Sequence, residues 1–479
     1  MPSPKPDSKL YLAIDQGGHA SRAMIFDYQG QLITEHHCKI TTKRPASDRV
    51  EHDANEMVSS IARAINNALA QLGDSSRHIV AAGMATQRSN IVCWNRETGA
   101  AISPIISWQD RRAREWSQQF TACRDRIHEI TGLYPTAHYG FSKLKWCLDN
   151  IPEVETARKN GTLAWGPMSS YLCYRLLVER PFVVDPVNAS RTLFWDIHSK
   201  DWSDELLEMF SLPHGCLPQC VPSTHHFGTV KSGSHSIPMN IVTGDQSAAL
   251  FANGRLEQDT AYITVGTGAF VLRVTGNQPV TSSRLLSSIV LQNDSGTIYA
   301  LEGTVNGAAS ALSWILDKTR LHKEMDKLPE WLLTDCDPPL FLNGVSGLGT
   351  PLWRPDFTSS FIGNGDDRHK VVAVIESIVF LLQLNLEEML VSLTPPKKIV
   401  IGGGLSRFDG LCIRLANISG LPVYRLDTHE NTALGLAYLV AGCPASWPTR
   451  IGNHCFEPSP APSLASRYTR WKKALMDAV

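Results

Sequence analysis

The apolar positions near the start of the chain fall into short runs separated by polar turns that carry glycine. Residues 11–14 form an apolar run that stops at Asp15-Gln16-Gly17-Gly18-His19. A second run covers 22–26, and a third, 31–35, follows the turn Tyr28-Gln29-Gly30. Three short runs joined by tight turns predict an antiparallel meander. The period then changes. Apolar residues over 55–72 recur near helical spacing, and 79–84 is a buried strand signal. Strands alternating with a helix predict an α/β class with a mixed sheet.

The pattern restarts in the second half. Gly244-Asp245-Gln246-Ser247 leads into a small-residue helix over 248–253. Residues 260–265 read as a strand, Gly266-Thr267-Gly268 as a turn and 269–274 as the returning strand. This repeats the hairpin of residues 11–26 in layout, not in identity. The expected division is therefore into two units, 1–250 and 251–479. Near the end, 443–466 is rich in Pro and Ser and predicts loop, and 467–478 predicts a short closing helix.

Bulk composition narrows the function. A chain of 479 residues is longer than one ordinary core supports, and 43% hydrophobic residues exclude disorder. Lys plus Arg total 45 against 46 Asp plus Glu, a net charge of −1. That balance favours neither nucleic acid nor an anionic membrane as partner. The eleven cysteines are scattered, with Cys216 and Cys220 the one close pair, which reads as reduced thiols rather than a zinc site. The N-terminal residues lack the apolar core of a leader, and polar residues interrupt apolar stretches such as 375–384 before a membrane span is complete. A soluble, cytoplasmic protein is expected.

Four segments carry candidate chemistry. In Asp15-Gln16-Gly17-Gly18-His19-Ala20-Ser21-Arg22, a carboxylate ends a buried strand, a glycine turn exposes backbone N–H groups and an arginine follows. Such a turn cradles phosphate oxygens, the arginine neutralises a transferring phosphoryl group and the carboxylate holds Mg²⁺. An ordinary hairpin turn has the same composition. In Gly244-Asp245-Gln246, Asp245 stands between strand and helix, suited either to accept a hydroxyl proton or to cap the helix. Val265-Gly266-Thr267-Gly268 is a second small-residue turn. Gly402-Gly403-Gly404 follows an apolar strand and permits close backbone approach to a ligand. The spacing is not a Rossmann fingerprint, and no Walker lysine motif occurs.

Taken in order with Val50-Glu51-His52-Asp53, Thr86-Gln87-Arg88, Ile106-Ser107-Trp108-Gln109-Asp110-Arg111-Arg112, Asn188-Ala189-Ser190-Arg191-Thr192, Leu301-Glu302-Gly303 and Gly347-Leu348-Gly349-Thr350-Pro351, these segments resemble the FGGY family of carbohydrate kinases over nearly the whole chain, and within it the glycerol kinases. The resemblance implies two actin-like (ribonuclease H-like) domains of the actin and hexokinase superfamily, with ATP and Mg²⁺ in the cleft between them. It implies Asp245 as general base, with Asp15 and Arg22 serving metal and γ-phosphate, and Asp15 and Asp245 as the metal carboxylates. It places Arg88, Ser89, Trp108, His138, Gln246 and Phe270 around a small polyol or sugar. It places Gly17, Gly18, His19, Gly266, Thr267, Gly268, Ser310, Gly402, Gly403 and Gly404 against ATP. A homodimer is compatible with it.

Two departures stand out. Glycerol kinases of the family usually carry Glu after the pocket arginine, where this chain has Ser89. A tyrosine expected near 137–139 aligns with either His138 or Tyr139. Losing a charge-assisted hydrogen bond costs roughly 1.5–3 kcal/mol, one to two orders of magnitude in affinity. The pocket is therefore expected to be remodelled, away from glycerol and toward a longer polyol or a sugar, with a ketose such as a pentulose as the alternative. The phosphate turn also differs, with Gly18-His19-Ala20 where the family prefers hydroxyl residues. His19 either donates to a phosphate or faces solvent, and a nucleotide-binding pseudokinase is the competing class.

Overall fold

The computed structural model describes residues 9–334, 337–426, 430–448 and 451–479, with the side chains of 451–453 left aside. Residues 1–8 and Cys336 lie outside the described residues.

The meander forms as the sequence pattern requires. β1 (Leu10–Gln16), β2 (Ala20–Asp27) and β3 (Leu32–Lys39) are antiparallel neighbours. β4 (Ile79–Thr86) lies parallel to β1, because α1 (Ala54–Leu72) intervenes and turns the chain back over the sheet. Asp53 caps α1 by accepting hydrogen bonds from the backbone N–H groups of Asn55 and Glu56. β5 (Thr224–Ser232) and β6 (His235–Gly244) complete a six-stranded sheet in the order β5-β6-β4-β1-β2-β3.

A second sheet repeats this plan. β7 (Thr260–Val265), β8 (Ala269–Gly276), β9 (Leu286–Asn293), β10 (Gly296–Val305), β11 (Lys398–Gly402), β12 (Val423–Leu426) and β13 (Ile451–Phe456) form seven strands in the order β9-β10-β8-β7-β11-β12-β13. β7 pairs antiparallel with β8 and parallel with β11, as β1 pairs with β2 and β4. The added strand β9 extends one edge. The expected loop over 443–466 is corrected in part. The polar edge strand β13 lies inside it, and the closing helix starts at Pro462, because proline is well suited to the first turn of a helix.

Between the sheets, two helices leave equivalent strand ends. α2 (Gly140–Asn150) belongs to the first half. α3 (Asp245–Leu250) follows β6, and α6 (Asn431–Val440), reached after α4 (Ala309–Thr319) and α5 (Asp367–Met389), follows β12. α3 and α6 cross backbone to backbone. A Cβ on Gly435 would run into the carbonyl of Ala248, so only glycine allows this approach. Their apolar faces, with Ala248, Leu250, Ala433 and Ala437, join one buried cluster with residues of both sheets, such as Ala13, Ala85, Tyr262 and Leu272. A small five-stranded sheet, including Arg49–His52, Ile91–Asn95 and Ile105–Ile106, packs beside the first sheet and supports the loops carrying Trp108 and His138. Among the described residues, no helix is long and apolar enough to cross a membrane.

Candidate active site

The site forms where strand ends from both sheets meet the starts of α3 and α6. Asp15 and Arg22 are register partners across the first hairpin. Arg22 Nη1 lies 3.0 Å from Asp15 Oδ2 and 3.3 Å from Glu430 Oε2, so one guanidinium bridges the first sheet and the entrance of α6. Asp15 is 4% exposed. Burial pushes its carboxyl up to about 6 against the pull of Arg22, and the negative charges of Asp245 and Glu430 push the same way. Two carboxylates, Asp15 and Glu430, thus converge on one arginine.

Asp245 begins α3, and its Oδ1 accepts a hydrogen bond of 2.7 Å from the N–H of Gln246. The alternative of a helix cap does not hold, because the cap position is Gly244 and no side chain caps the helix. The carboxylate also faces the cleft, where burial raises its pKa and Arg88 is the main influence lowering it. Arg88 donates to Gln246 Oε1 and approaches Glu302 Oε2 at 3.8 Å. The stem of Arg88 crosses Gly244 so closely that a Cβ there would lie 2.6 Å from its Cγ.

Glu302 and Arg191 were matched to the family pattern but given no role from sequence. They form the buried floor of the site. Arg191 Nη2 lies 2.5 Å from Glu302 Oε2 and donates to Ser288 Oγ at 2.8 Å, and Ser288 Oγ donates to Glu302 at 2.9 Å. The two arginines hold the Glu302 carboxyl well down, at about 2. Phe270 belongs to the same face, since its pair partner Thr304 lies two residues along β10 from Glu302. A glutamate within the apolar strand Leu301-Glu302-Gly303 was the available signal. Its partner lay 111 positions away.

His138 and Tyr139 have separate places. The His138 ring lies 5.8 Å from that of Trp108. Tyr139 is 5% exposed, and burial is what chiefly raises its pKa, with Arg191 and Glu302 the leading charged influences. Burial and the surrounding cations Arg111, Lys143, Arg191 and Arg88 hold His138 well below its ordinary pKa, so it is neutral. Trp108 is fixed by its N–H, which donates to Asn90 Oδ1 at 2.7 Å. Ser89 adopts φ 63° and buries its hydroxyl without a hydrogen-bond partner.

The glycine turns are built differently. In the first, the Gly17 N–H donates to the Ala20 carbonyl at 3.0 Å, and His19 is exposed at the tip. In the second, the Gly266 N–H donates to the Gly268 carbonyl at 2.9 Å. The Thr267 carbonyl accepts from the Ser310 N–H at 3.1 Å and the Ser310 hydroxyl at 3.0 Å, which docks that turn on α4. Gly403 has φ 92°, and a Cβ there would lie 2.7 Å from the Val265 carbonyl, so the triple glycine is pressed against the strand leading to the second turn. Behind Gly402, Gly403 and Gly404 opens a cavity of about 540 Å³, walled by Asn253, Asn431 and Arg425 among others. Among the described residues, no group of three His, Cys, Asp or Glu side chains is arranged to hold a metal ion.

The sequence pattern of the FGGY family of carbohydrate kinases matches in two parts, its N-terminal domain over residues 10–252 and its C-terminal domain over 261–442. The glycerol kinase of Shewanella oneidensis is 33% identical over 453 residues, spanning 92% of this chain and 91% of that protein. That of Dechloromonas aromatica is 34% identical, spanning 98% and 97%. A crystal structure of Plasmodium falciparum glycerol kinase with ADP superposes with a TM-score of 0.90 at 25% identity, covering 98% of both chains. The fold is also shared with a ligand-bound xylulose kinase from Lactobacillus acidophilus, with a TM-score of 0.83 at 18% identity, covering 98% of this chain and 97% of that one.

Proposed function

From the premise that the chain belongs to the FGGY family of carbohydrate kinases, we propose that it transfers the γ-phosphoryl group of ATP to a hydroxyl of a polyol or sugar longer than glycerol, with Asp245 as the base. In this reading residues 1–250 carry the base and the substrate wall, and 251–479 carry most nucleotide contacts. The observation that carries it is the placing of Asp245. Its carboxylate lies within electrostatic reach of Arg88, which pairs with Gln246, and of Asp15, which pairs with Arg22. A hydroxyl held by Arg88, Gln246 and Trp108 would meet Asp245, and the phosphoryl group would arrive against Arg22.

The chemistry follows from that order. A raised pKa makes Asp245 a stronger proton acceptor. Arg22, drawn between Asp15 and Glu430, is positioned to balance charge on the moving phosphoryl group. The glycine turns at 17–19, 266–268 and 402–404 supply backbone approach for ATP, with Ser310 behind the second. Asp15 and Asp245 suit a hard cation. With only one or two carboxylates available, Mg²⁺ would take its remaining ligands from water and the nucleotide, and would supply charge neutralisation on the phosphates.

Ser89 supports the longer substrate. Glu302 does not replace the missing pocket carboxylate, because both its oxygens are engaged by Arg191 and one also by Ser288. The buried, unpartnered Ser89 hydroxyl and the neutral His138 ring have hydrogen-bonding capacity that an additional hydroxyl or a carbonyl reaching them would use. That pair also favours a second reading, a ketose as acceptor. ATP turnover with glycerol, tetritols, pentitols and pentuloses separates these. The expected result is the highest kcat/KM with a substrate of four or five carbons. Turnover of glycerol alone at low concentration would defeat the remodelled pocket, and silence with every compound despite ATP binding would defeat the kinase.

A further inference from the structure

The two positions that depart from the glycerol kinase pattern hang from one buried amine. Lys143 lies in α2 and has no measurable exposure. Its Nζ donates to the carbonyl of Ser89 and to the carbonyl of His138, each at 2.7 Å. These two carbonyls belong to different segments, one at the end of β4 and one in the loop before α2. Each adjoins a different part of the pocket. The His138 ring is tilted by 60° against that of Trp108, and Ser89 follows Arg88 directly.

Among the described residues, no carboxylate forms an ion pair with this amine. The nearest acidic influence is Asp110, whose oxygens are taken by Arg112 Nε at 2.8 Å, Arg112 Nη2 at 2.7 Å and the Val50 N–H at 2.7 Å. Arg111 and Arg112 add like charge nearby. A buried lysine without an ion-pair partner is unfavourable, and methionine or leucine would fill the same helical position at no such cost. The amine therefore serves the two carbonyls. Ser89 adds a reason. It holds φ 63°, a conformation costly for a residue with a Cβ, and its side chain makes no hydrogen bond that would fix it. The bond from Lys143 reaches the carbonyl of that same residue.

We infer that Lys143 is a positioning residue for substrate choice: its amine registers Ser89 against His138 and so sets the length of hydroxyl chain that the pocket accepts. This rests on the reading of Ser89 and His138 as substrate-facing. Loss of the amine is expected to let Ser89 relax and the His138 loop drift, while the ATP side and Asp245 stay in place.

The test is steady-state kinetics on the full chain with ATP and two acceptors, the best substrate of the panel and glycerol. For Lys143→Met the KM of the best acceptor is expected to rise about tenfold, with KM for ATP within about twofold and kcat within about threefold. The kcat/KM ratio between the two acceptors should fall by about fivefold or more. If the methionine variant does not fold, Lys143→Gln, which keeps an N–H₂ end on a shorter stem, carries the same comparison with a shift of about threefold. In a Ser89→Gly background, where the positive φ is free of strain, the effect of Lys143→Met on KM should shrink by about threefold. The proposal is overturned if Lys143→Met changes both KM values alike or leaves the acceptor ratio untouched while Ser89→Ala and His138→Ala move it. If neither Ser89→Ala nor His138→Ala moves the ratio, the substrate-facing reading itself fails, and the proposal falls with it.

Discussion

The two hairpins that face the cleft share a plan and differ in charge. β1 and β2 pair antiparallel, with β4 parallel on the other side, and β7 and β8 pair with β11 in the same way. At the tip of the first, Asp15 and Arg22 form an ion pair of 3.0 Å that reaches on to Glu430. At the tip of the second, Val265 faces Ala269, and the turn is held by backbone bonds and the Ser310 hydroxyl. One architecture thus supplies a charged end and a neutral end. In the proposed reading this is a division of labour, with the charged end dealing with the group that moves and the neutral end with the part of the nucleotide that stays.

The largest effect is expected at the point where the charged end meets the acceptor. Asp245→Asn removes the proton acceptor but keeps size and the hydrogen bond from Gln246, so kcat should fall about 10³-fold, within the usual range for a general base. Acceptor affinity, measured by calorimetry with a non-hydrolysable ATP analogue, should stay within about threefold. Near-normal kcat would remove Asp245 from the reaction.

Next comes the close crossing of α3 and α6. Gly435→Ala drives a methyl group into the Ala248 carbonyl, and overpacking of this kind costs about 1–3 kcal/mol. Denaturant unfolding should show that loss. Scattering should show less compaction on adding nucleotide and acceptor, because closure depends on α3 and α6. Unchanged stability would mean that the helices separate freely.

A pH effect sharpens the same contrast. The folded pKa of Asp15, about 6, lies above its ordinary value of 3.8. The charged carboxylate therefore costs stability above pH 6, by about 2–3 kcal/mol, and the cost disappears as pH falls below that value. Asp15→Asn should be more stable than the parent at pH 8, with the difference shrinking toward pH 4, while its activity drops. The parent should lose kcat/KM below about pH 6 as Asp15 takes up a proton. Equal stability of the two at pH 8 would show that Arg22 already offsets the burial.

Local patterns were legible in the sequence and distant pairings were not. The hairpins at 11–26 and 260–274 follow from short apolar runs and glycine turns, which act over a few residues. Asp15, Arg22 and Asp245 were readable because each stands beside such a turn. Glu302 with Arg191, and Arg22 with Glu430, were not, since those partners lie 111 and 408 positions apart and only the fold brings them together. His138 and Tyr139 were indistinguishable by position. Burial separated them, sending the tyrosine toward Arg191 and leaving the histidine beside Trp108. β13, with Gly, Asn and His among its residues, lacks the apolar alternation that marks a strand, and its place at a sheet edge explains why it needs none.

The division of labour is tested most directly by one pair of variants assayed side by side, Arg22→Met and Thr267→Val. Arg22→Met should lose about 10²-fold or more in kcat with KM for ATP changed less than about fivefold, because its charge matters while the phosphoryl group moves. Thr267→Val should raise KM for ATP by about three- to tenfold with kcat nearly kept. Equal losses in kcat from both variants, or a loss from Arg22→Met confined to KM for ATP, would contradict the account.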